Sequence, residues 1–215
     1  MNRREALSAV ALLLGGTIIG ADAFLSGCKA SDKKSGELFA TNDVAFLDEV
    51  GETILPATAS SPGAKEAKIG DFMKVMVTDC YDENDQKTFT DGISKLKDAS
   101  QKKYSKDFME LSAQEKHDLL VGLDKEAIEH QKEINARAAK LTDEQRTQNT
   151  LDKNKGTNKK APEDAPHYFS MMKQLTLWGY FTSEPGATKA LRYIETPGKY
   201  DGCVPYKKGD KAWAT

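Results

Sequence analysis

The sequence predicts an all-α fold: a compact helical bundle followed by an irregular, aromatic-rich C-terminal segment. Apolar residues in the middle of the chain recur at spacings of three and four, which is the period of one helix face. No stretch alternates polar and apolar residues for long enough to predict a sheet. The length of 215 residues suits one globular domain, and the net charge of −2 gives no support for nucleic-acid binding.

The first two helices are predicted from apolar spacing and from residues that start or stop helices. Asp43 can cap a helix that ends near Leu55, because Pro56 follows. Its apolar face consists of Leu47, Val50 and Ile54. A second helix carries six apolar residues at helical gaps: Ile69, Phe72, Met73, Met76, Val77 and Cys80. This spacing predicts that Cys80 is a small core residue.

Two longer helices follow. The third is predicted to begin at Asp85, with Phe89, Ile93 and Leu96 as its stripe. Ser112 and Glu115 form a capping-box pattern, which predicts a fourth helix that reaches about Lys140. The apolar face of that helix consists of Leu120, Leu123, Ala127 and Ile134, with Leu119 and Ile128 beside it.

Residues 142–166 contain almost no apolar side chains and are predicted to be a solvated linker. Pro166 then fits the first turn of a last helix. That helix carries Tyr168, Phe169, Met172, Leu175 and Trp178. Glu184-Pro185-Gly186 and Thr196-Pro197-Gly198 break the aromatic run that follows, so this part is predicted to be ordered but irregular.

Residues 1–28 have the pattern of an export signal. Arg3 and Arg4 precede a mild apolar run, which is short and rich in Ala and Gly for a spanning helix. The arginine pair resembles a twin-arginine signal, which serves proteins exported after folding. Asn2 and Glu5 depart from the usual pattern, so Sec export is the alternative.

Leu25-Ser26-Gly27-Cys28 resembles a bacterial lipobox, which predicts lipidation of Cys28. Residues 29–42 would then tether a helical domain, residues 43–215, to the periplasmic side of the envelope membrane. The alternatives are a plain spanning anchor and an ordinary cleaved signal.

The chain offers no set of residues that predicts a catalytic, cofactor-binding or metal site. There is no CxxC, Walker or Gly-x-Ser-x-Gly motif. His130 shares a helix with several glutamates, but Ala127 stands where a Glu-x-x-His motif needs Glu. A solvated helix face is therefore predicted for His130.

The C-terminal aromatic cluster has two interpretations, a cap over the open end of the core and a docking surface for a partner. The candidate interface residues are Trp178, Tyr180, Phe181, Pro185, Gly186, Tyr200, Cys203, Pro205 and Tyr206. If Cys28 carries lipid, Cys203 either pairs with Cys80, stays free, or bridges to another chain. A buried Cys80 favours the last two.

Several of these features together resemble the small, third-subunit family of gluconate 2-dehydrogenase. They are the arginine pair, the helical middle, the stretch Leu177-Trp178-Gly179-Tyr180-Phe181-Thr182-Ser183-Glu184-Pro185-Gly186, and the ending Pro197-Gly198-Lys199-Tyr200-Asp201-Gly202-Cys203-Val204-Pro205-Tyr206. Typical members have a glycine-rich turn after the aromatic-Pro step, and here Ala187-Thr188 replaces it.

The resemblance implies a non-catalytic accessory subunit. In such complexes a large flavoprotein of the glucose–methanol–choline oxidoreductase family binds FAD and oxidises a sugar or sugar acid. A cytochrome c subunit often accepts the electrons, and the small subunit carries the export signal for the large one. The alternative is a stand-alone helical envelope lipoprotein that binds a ligand or another protein.

Overall fold

The computed structural model describes residues 38–141, 145, 147, 165–196, 198–199, 202–205 and 207–214. All of them belong to one compact unit, Leu38–Thr215. Its α-helices are α1 (Asp43–Ile54), α2 (Ile69–Cys80), α3 (Glu83–Tyr104), α4 (Ala113–Ala139) and α5 (Tyr168–Thr182). Short 3-10 turns, Ala64–Ala67 and Phe108–Glu110, precede α2 and α4, and a π turn spans Gly186–Ala190. The described residues contain no β-strand, which confirms the all-α prediction.

Some predictions concern residues outside this description. They are the export signal with Arg3 and Arg4, the lipidation site Cys28, most of the linker, and two interface candidates, Tyr200 and Tyr206.

Capping side chains determine where two of the helices begin. The Asp82 carboxylate accepts hydrogen bonds from the backbone N–H groups of Asn84 (2.9 Å) and Asp85 (2.8 Å). The third helix therefore begins at Glu83, two residues before the predicted start. At α4, Ser112 Oγ accepts from the Glu115 N–H, and the Glu115 carboxylate accepts from the Ser112 N–H at 2.8 Å. This reciprocal pair confirms the predicted capping box.

The first helix starts differently from the prediction. Asn42 occupies the N-cap position, and Asp43 is the first helical residue. The Asp43 carboxylate accepts from the Ala40 N–H at 2.9 Å and pairs with Lys97 Nζ at 2.7 Å. An acidic side chain in the first turn stabilises the positive end of the helix dipole even though it is not the cap.

The core surrounds α5, which contacts each of the other four helices. The largest side chains with less than 2% exposure come from every helix but α4 and from the turn before α4: Leu47, Val50, Ile69, Met73, Val77, Phe89, Leu96, Phe108, Phe169, Met172, Leu175 and Thr176. The predicted apolar stripes of α1, α2 and α3 therefore supply most of the core. On α4, Ile128, which was predicted beside the apolar face, is 48% exposed.

Cys80 is exposed, so the prediction that it lies in the core is wrong. Its spacing places it on the buried side of α2, but it is the last residue of that helix. Cys80 therefore lies at the edge of the packed region, and the next residue, Tyr81, packs against the core instead.

One ion pair is built into the edge of the core. Lys116 is only 8% exposed, its Nζ lies 2.8 Å from the Glu49 carboxylate, and it stands 5.7 Å from the centroid of the Phe108 ring. The hydrogen bond from Lys116 lowers the pKa of Glu49. Removing Glu49 would leave the Lys116 ammonium buried without its carboxylate, whereas Glu49 would keep a second cation, Lys65, at 3.0 Å.

Among the residues that the structure describes, no helix is both long enough and apolar enough to cross a membrane.

Gly92 lets α3 and α5 approach each other closely. A Cβ at Gly92 would lie 2.4 Å from Tyr168 Cβ, which is too close for any side chain. Gly122 on α4 faces open space instead, because a Cβ there would meet no atom within 4 Å.

We expect Gly92→Ala to lower the free energy of unfolding by about 1–3 kcal/mol, because it forces two helices apart. Gly122→Ala is the matched control and should raise it by roughly 0.5–1 kcal/mol through helix propensity. Urea unfolding of both variants measures the two changes. Equal effects of the two substitutions would contradict the close contact at Gly92.

Candidate partner-docking surface

Helix α5 exposes three large apolar side chains on the side that faces away from the core. They are Leu177, Trp178 and Phe181, with exposed fractions of 38%, 51% and 39%. We call these three residues the α5 outer face. Two large aromatic rings within one helical turn are costly to leave in water, and aromatic residues are enriched at protein interfaces.

Trp178 is supported from beneath by α2. Its ring meets Phe72 edge-on, with centroids 5.6 Å apart and an interplanar angle of 87°. Phe72 can reach this position because residue 179 is glycine: a Cβ there would lie 2.5 Å from the Phe72 ring. The Trp178 ring is therefore held in a fixed orientation while half of it remains open to a partner.

Tyr180 lies in the core, which corrects its prediction as an interface residue. It is 3% exposed, and its hydroxyl donates a hydrogen bond to the Pro62 carbonyl oxygen at 2.5 Å. Burial raises the pKa of the Tyr180 phenol. The Tyr180 ring meets Phe181 edge-on at 5.1 Å, so Tyr180 positions an exposed neighbour instead of offering a contact itself.

Gly186 is also buried, which corrects the same prediction for that residue, and Pro185 is half-buried. Ser183 Oγ donates to the Tyr180 carbonyl oxygen at 2.6 Å and accepts from the Gly186 N–H at 3.2 Å. A Cβ at Gly186 would lie 1.8 Å from the Tyr180 carbonyl oxygen, so only glycine fits. The Pro-Gly step therefore closes the end of α5 tightly against the bundle.

A groove of about 350 Å³ adjoins the α5 outer face. It lies between the loop that follows α1 and the end of α5, and Phe181 forms part of its wall. Its other apolar and aromatic walls are Leu55, Pro56, Pro62, Tyr180 and Ala190. At its rim, Lys211 Nζ donates to the Ser60 carbonyl oxygen at 2.8 Å. The outer face thus continues into a concave surface.

The C-terminal segment closes on itself at Arg192 and Trp213. The Arg192 N–H donates to the Ala212 carbonyl oxygen, and the Ala214 N–H donates to the Arg192 carbonyl oxygen, both at 2.8 Å. The Arg192 guanidinium also lies 4.5 Å from the centroid of the Trp213 ring. The segment between them includes Cys203 and Pro205, which are both exposed, as a contact with a partner would require.

The cysteines that the structure describes are not joined by a disulfide: Cys80 and Cys203 are both exposed thiols. His130 is half-buried, with Nε2 2.9 Å from the Ala165 carbonyl oxygen, so the predicted solvated face is wrong for this residue. Within the described part of the chain, no group of three His, Cys, Asp or Glu side chains could hold a metal ion.

Two participants in this surface were not predicted. Leu177 is exposed beside Trp178, and Phe72 supports the Trp178 ring. Helical geometry could have identified Leu177, since it lies opposite the buried positions of α5. The contact between Phe72 and Trp178 joins residues far apart in sequence, and no local pattern indicates it.

A family model described as gluconate 2-dehydrogenase subunit 3 matches residues 41–198. The matched range includes all five helices and the α5 outer face. No curated protein and no solved structure matches the chain.

We expect Tyr180→Phe to lower the free energy of unfolding by about 1 kcal/mol, because the Pro62 carbonyl oxygen loses its donor. Tyr193→Phe is the control, since that tyrosine is 53% exposed. Chemical unfolding checks both. A Tyr180→Phe variant with the same free energy of unfolding as the wild type would contradict the buried hydrogen bond.

Proposed function

Because the chain belongs to the gluconate 2-dehydrogenase subunit 3 family, we propose that it works as a non-catalytic accessory subunit within a dehydrogenase complex. In this proposal, the chain escorts the folded catalytic subunit through export, stabilises it, and tethers it to the membrane. Oxidation of the substrate takes place on the partner.

The observation that carries the proposal is the α5 outer face. Trp178 is 51% exposed although Phe72 holds its ring in place. A fixed, exposed indole beside an apolar groove loses little side-chain entropy when a partner covers it. The same surface on an isolated protein would be an aggregation hazard.

The proposed partner is a large FAD-dependent dehydrogenase subunit of the glucose–methanol–choline family that acts on a sugar or sugar acid. The family name supports the dehydrogenase, and the resemblance of the sequence supports the flavoprotein. FAD is assigned to the partner and no cofactor to this chain. A cytochrome c subunit is the proposed electron acceptor of the complex.

The N-terminal sequence supports the export role. Arg3 and Arg4 followed by a mild apolar run fit twin-arginine export, which moves folded proteins. A flavoprotein loaded with FAD before export has to cross the membrane folded. Lipidation of Cys28 would then hold the complex on the periplasmic side, because several acyl chains together give a firm anchor.

We expect Trp178→Ala to weaken the complex by about 2 kcal/mol or more, which is roughly 30-fold, because an interface anchor is lost. The measurement is co-purification of the tagged chain with its partner, read from the flavin absorption of the recovered complex. Ile128→Ala on α4 is the control, because that side chain is also exposed, at 48%.

Recovery of the wild-type chain alone and colourless would argue against the proposal and for a stand-alone envelope lipoprotein. Loss of stability of the isolated Trp178→Ala chain, with partner binding unchanged, would assign the tryptophan to the core.

We expect replacement of both Arg3 and Arg4 by Lys to leave this chain and its partner in the cytoplasm, since twin-arginine export requires the arginine pair. Fractionation followed by immunoblotting of both chains measures this. A double variant on α3, Lys102→Arg with Lys103→Arg, controls for the exchange of charged residues. Normal export of the Arg3, Arg4 variant would indicate Sec export and refute the escort role.

A further inference from the structure

His167 caps the N-terminus of α5 with its imidazole ring. Its backbone is extended, and its Nδ1 atom accepts a hydrogen bond from the Phe169 N–H at 3.3 Å. An accepting Nδ1 carries no proton, so the neutral ring has its proton on Nε2. The cap of the helix that bears the outer face is thus a group that titrates close to neutral pH.

The surroundings of His167 make a positive charge unfavourable there. The His130 ring of α4 lies 5.9 Å away, and the Tyr168 ring lies 4.5 Å away. On α3, Lys95 Nζ stands 6.0 Å from the centroid of the Tyr168 ring. The opposing group is Glu126 of α4, whose carboxylate favours the charged imidazole. The N-terminus of α5 itself adds partial positive charge.

Protons can reach this site from the solvent. His130, His167 and Tyr168 line one end of an open cleft of about 1210 Å³ between α3 and α4. The helices that flank the cleft also contribute Lys95 and Glu126 to its walls. The imidazole is therefore half-buried but not sealed from water.

We infer that His167 is a protonation-sensitive cap: the neutral ring fastens the first turn of α5, and the protonated ring releases it. A proton on Nδ1 turns the acceptor into a donor that faces the Phe169 N–H, so the capping bond is lost. The same proton places a full positive charge at the positive end of the helix dipole and beside His130.

The direction of the pH effect follows from linkage. Burial lowers the pKa of His167 from 6.5, the neighbouring His130 and Lys95 lower it further, and Glu126 opposes them. Between that folded value and 6.5, the unfolded chain binds more protons than the folded chain. The full stabilisation is therefore present above pH 6.5. It decreases as the pH falls below that value and levels off below the folded pKa.

This inference deepens the proposed function and, in its effect on binding, rests on it. The helix that loosens, α5, is the one that carries Leu177, Trp178 and Phe181. Affinity for the dehydrogenase subunit should therefore decrease over the same pH window, which makes the complex looser in acid than at neutral pH.

The test compares three forms of the full-length chain by equilibrium unfolding in denaturant at pH 7.5 and pH 5.0. They are the wild type, His167→Asn, and the control His117→Asn, whose histidine is 61% exposed. Asn can cap a helix without titrating, so His167→Asn should match the wild type at pH 7.5. At pH 5.0 the wild type and the control should unfold more readily than His167→Asn. The equilibrium constant should differ by at most about tenfold for each unit by which the folded pKa lies below the unfolded value, and this limit is reached only where the pH lies below the folded pKa.

NMR of the imidazole nitrogens gives a second readout that needs no unfolding. The neutral His167 ring should show the proton on Nε2, and its pKa should lie below 6.5. An Nδ1-protonated ring, or a His167→Asn variant with the full pH response of the wild type, would overturn the inference. Neither readout involves a partner. The inference about the cap can therefore be refuted although the complex forms normally, and it can be supported although no complex is found.

Discussion

The burial of α5 among the other four helices is the constraint on which the rest of the structure depends. The buried side of α5 meets the apolar stripes of α1, α2 and α3, which supply most of the core. Phe169, Met172 and Leu175 are each 2% exposed or less, and burial of each contributes roughly 1.5–3 kcal/mol. Such packing requires small residues where helices meet. Gly92 of α3 leaves room for the Tyr168 side chain of α5, and Gly179 of α5 leaves room for the Phe72 ring that supports Trp178.

The sequence was informative where a signal is local. The capping box at Ser112 and the stripe Phe89, Ile93 and Leu96 were predicted and are present, because both depend only on helical geometry. Cys80 and His130 were predicted wrongly for a different reason. The exposure of a helix end depends on which distant segment covers it, and the partner of His130 is Ala165, 35 residues away along the chain.

In the candidate site, too, local signals were informative and long-range contacts were not. The aromatic cluster was predicted as a whole, without separating its buried side from its exposed side. The helical period separates the two sides. Met172, Leu175, Thr176 and Gly179 form an i, i+3, i+4, i+7 series that faces the core, and Tyr180 lies beside it. Trp178 and Phe181 share the opposite side, three residues apart. A stricter use of periodicity would have placed Tyr180 in the core. The burial of Gly186 depends on the Pro-Gly turn folding back onto α5, which spacing alone cannot indicate.

The ends of α5 explain why its outer face is a suitable docking surface and why acid should weaken it. Its C-terminal end is fixed by the Tyr180 hydroxyl on Pro62 and by the Ser183 hydroxyl. Burial raises the pKa of the Tyr180 phenol, so neither group changes its charge in mild acid. Its N-terminal end is fixed by an imidazole. The caps of α3 and α4 are a carboxylate, Asp82, and a hydroxyl, Ser112, instead of an imidazole. Sensitivity to mild acid is therefore concentrated at the one helix whose rigidity reduces the entropic cost of binding a partner. A bundle capped throughout by carboxylates and hydroxyls would hold that helix equally firmly in neutral and mildly acidic surroundings.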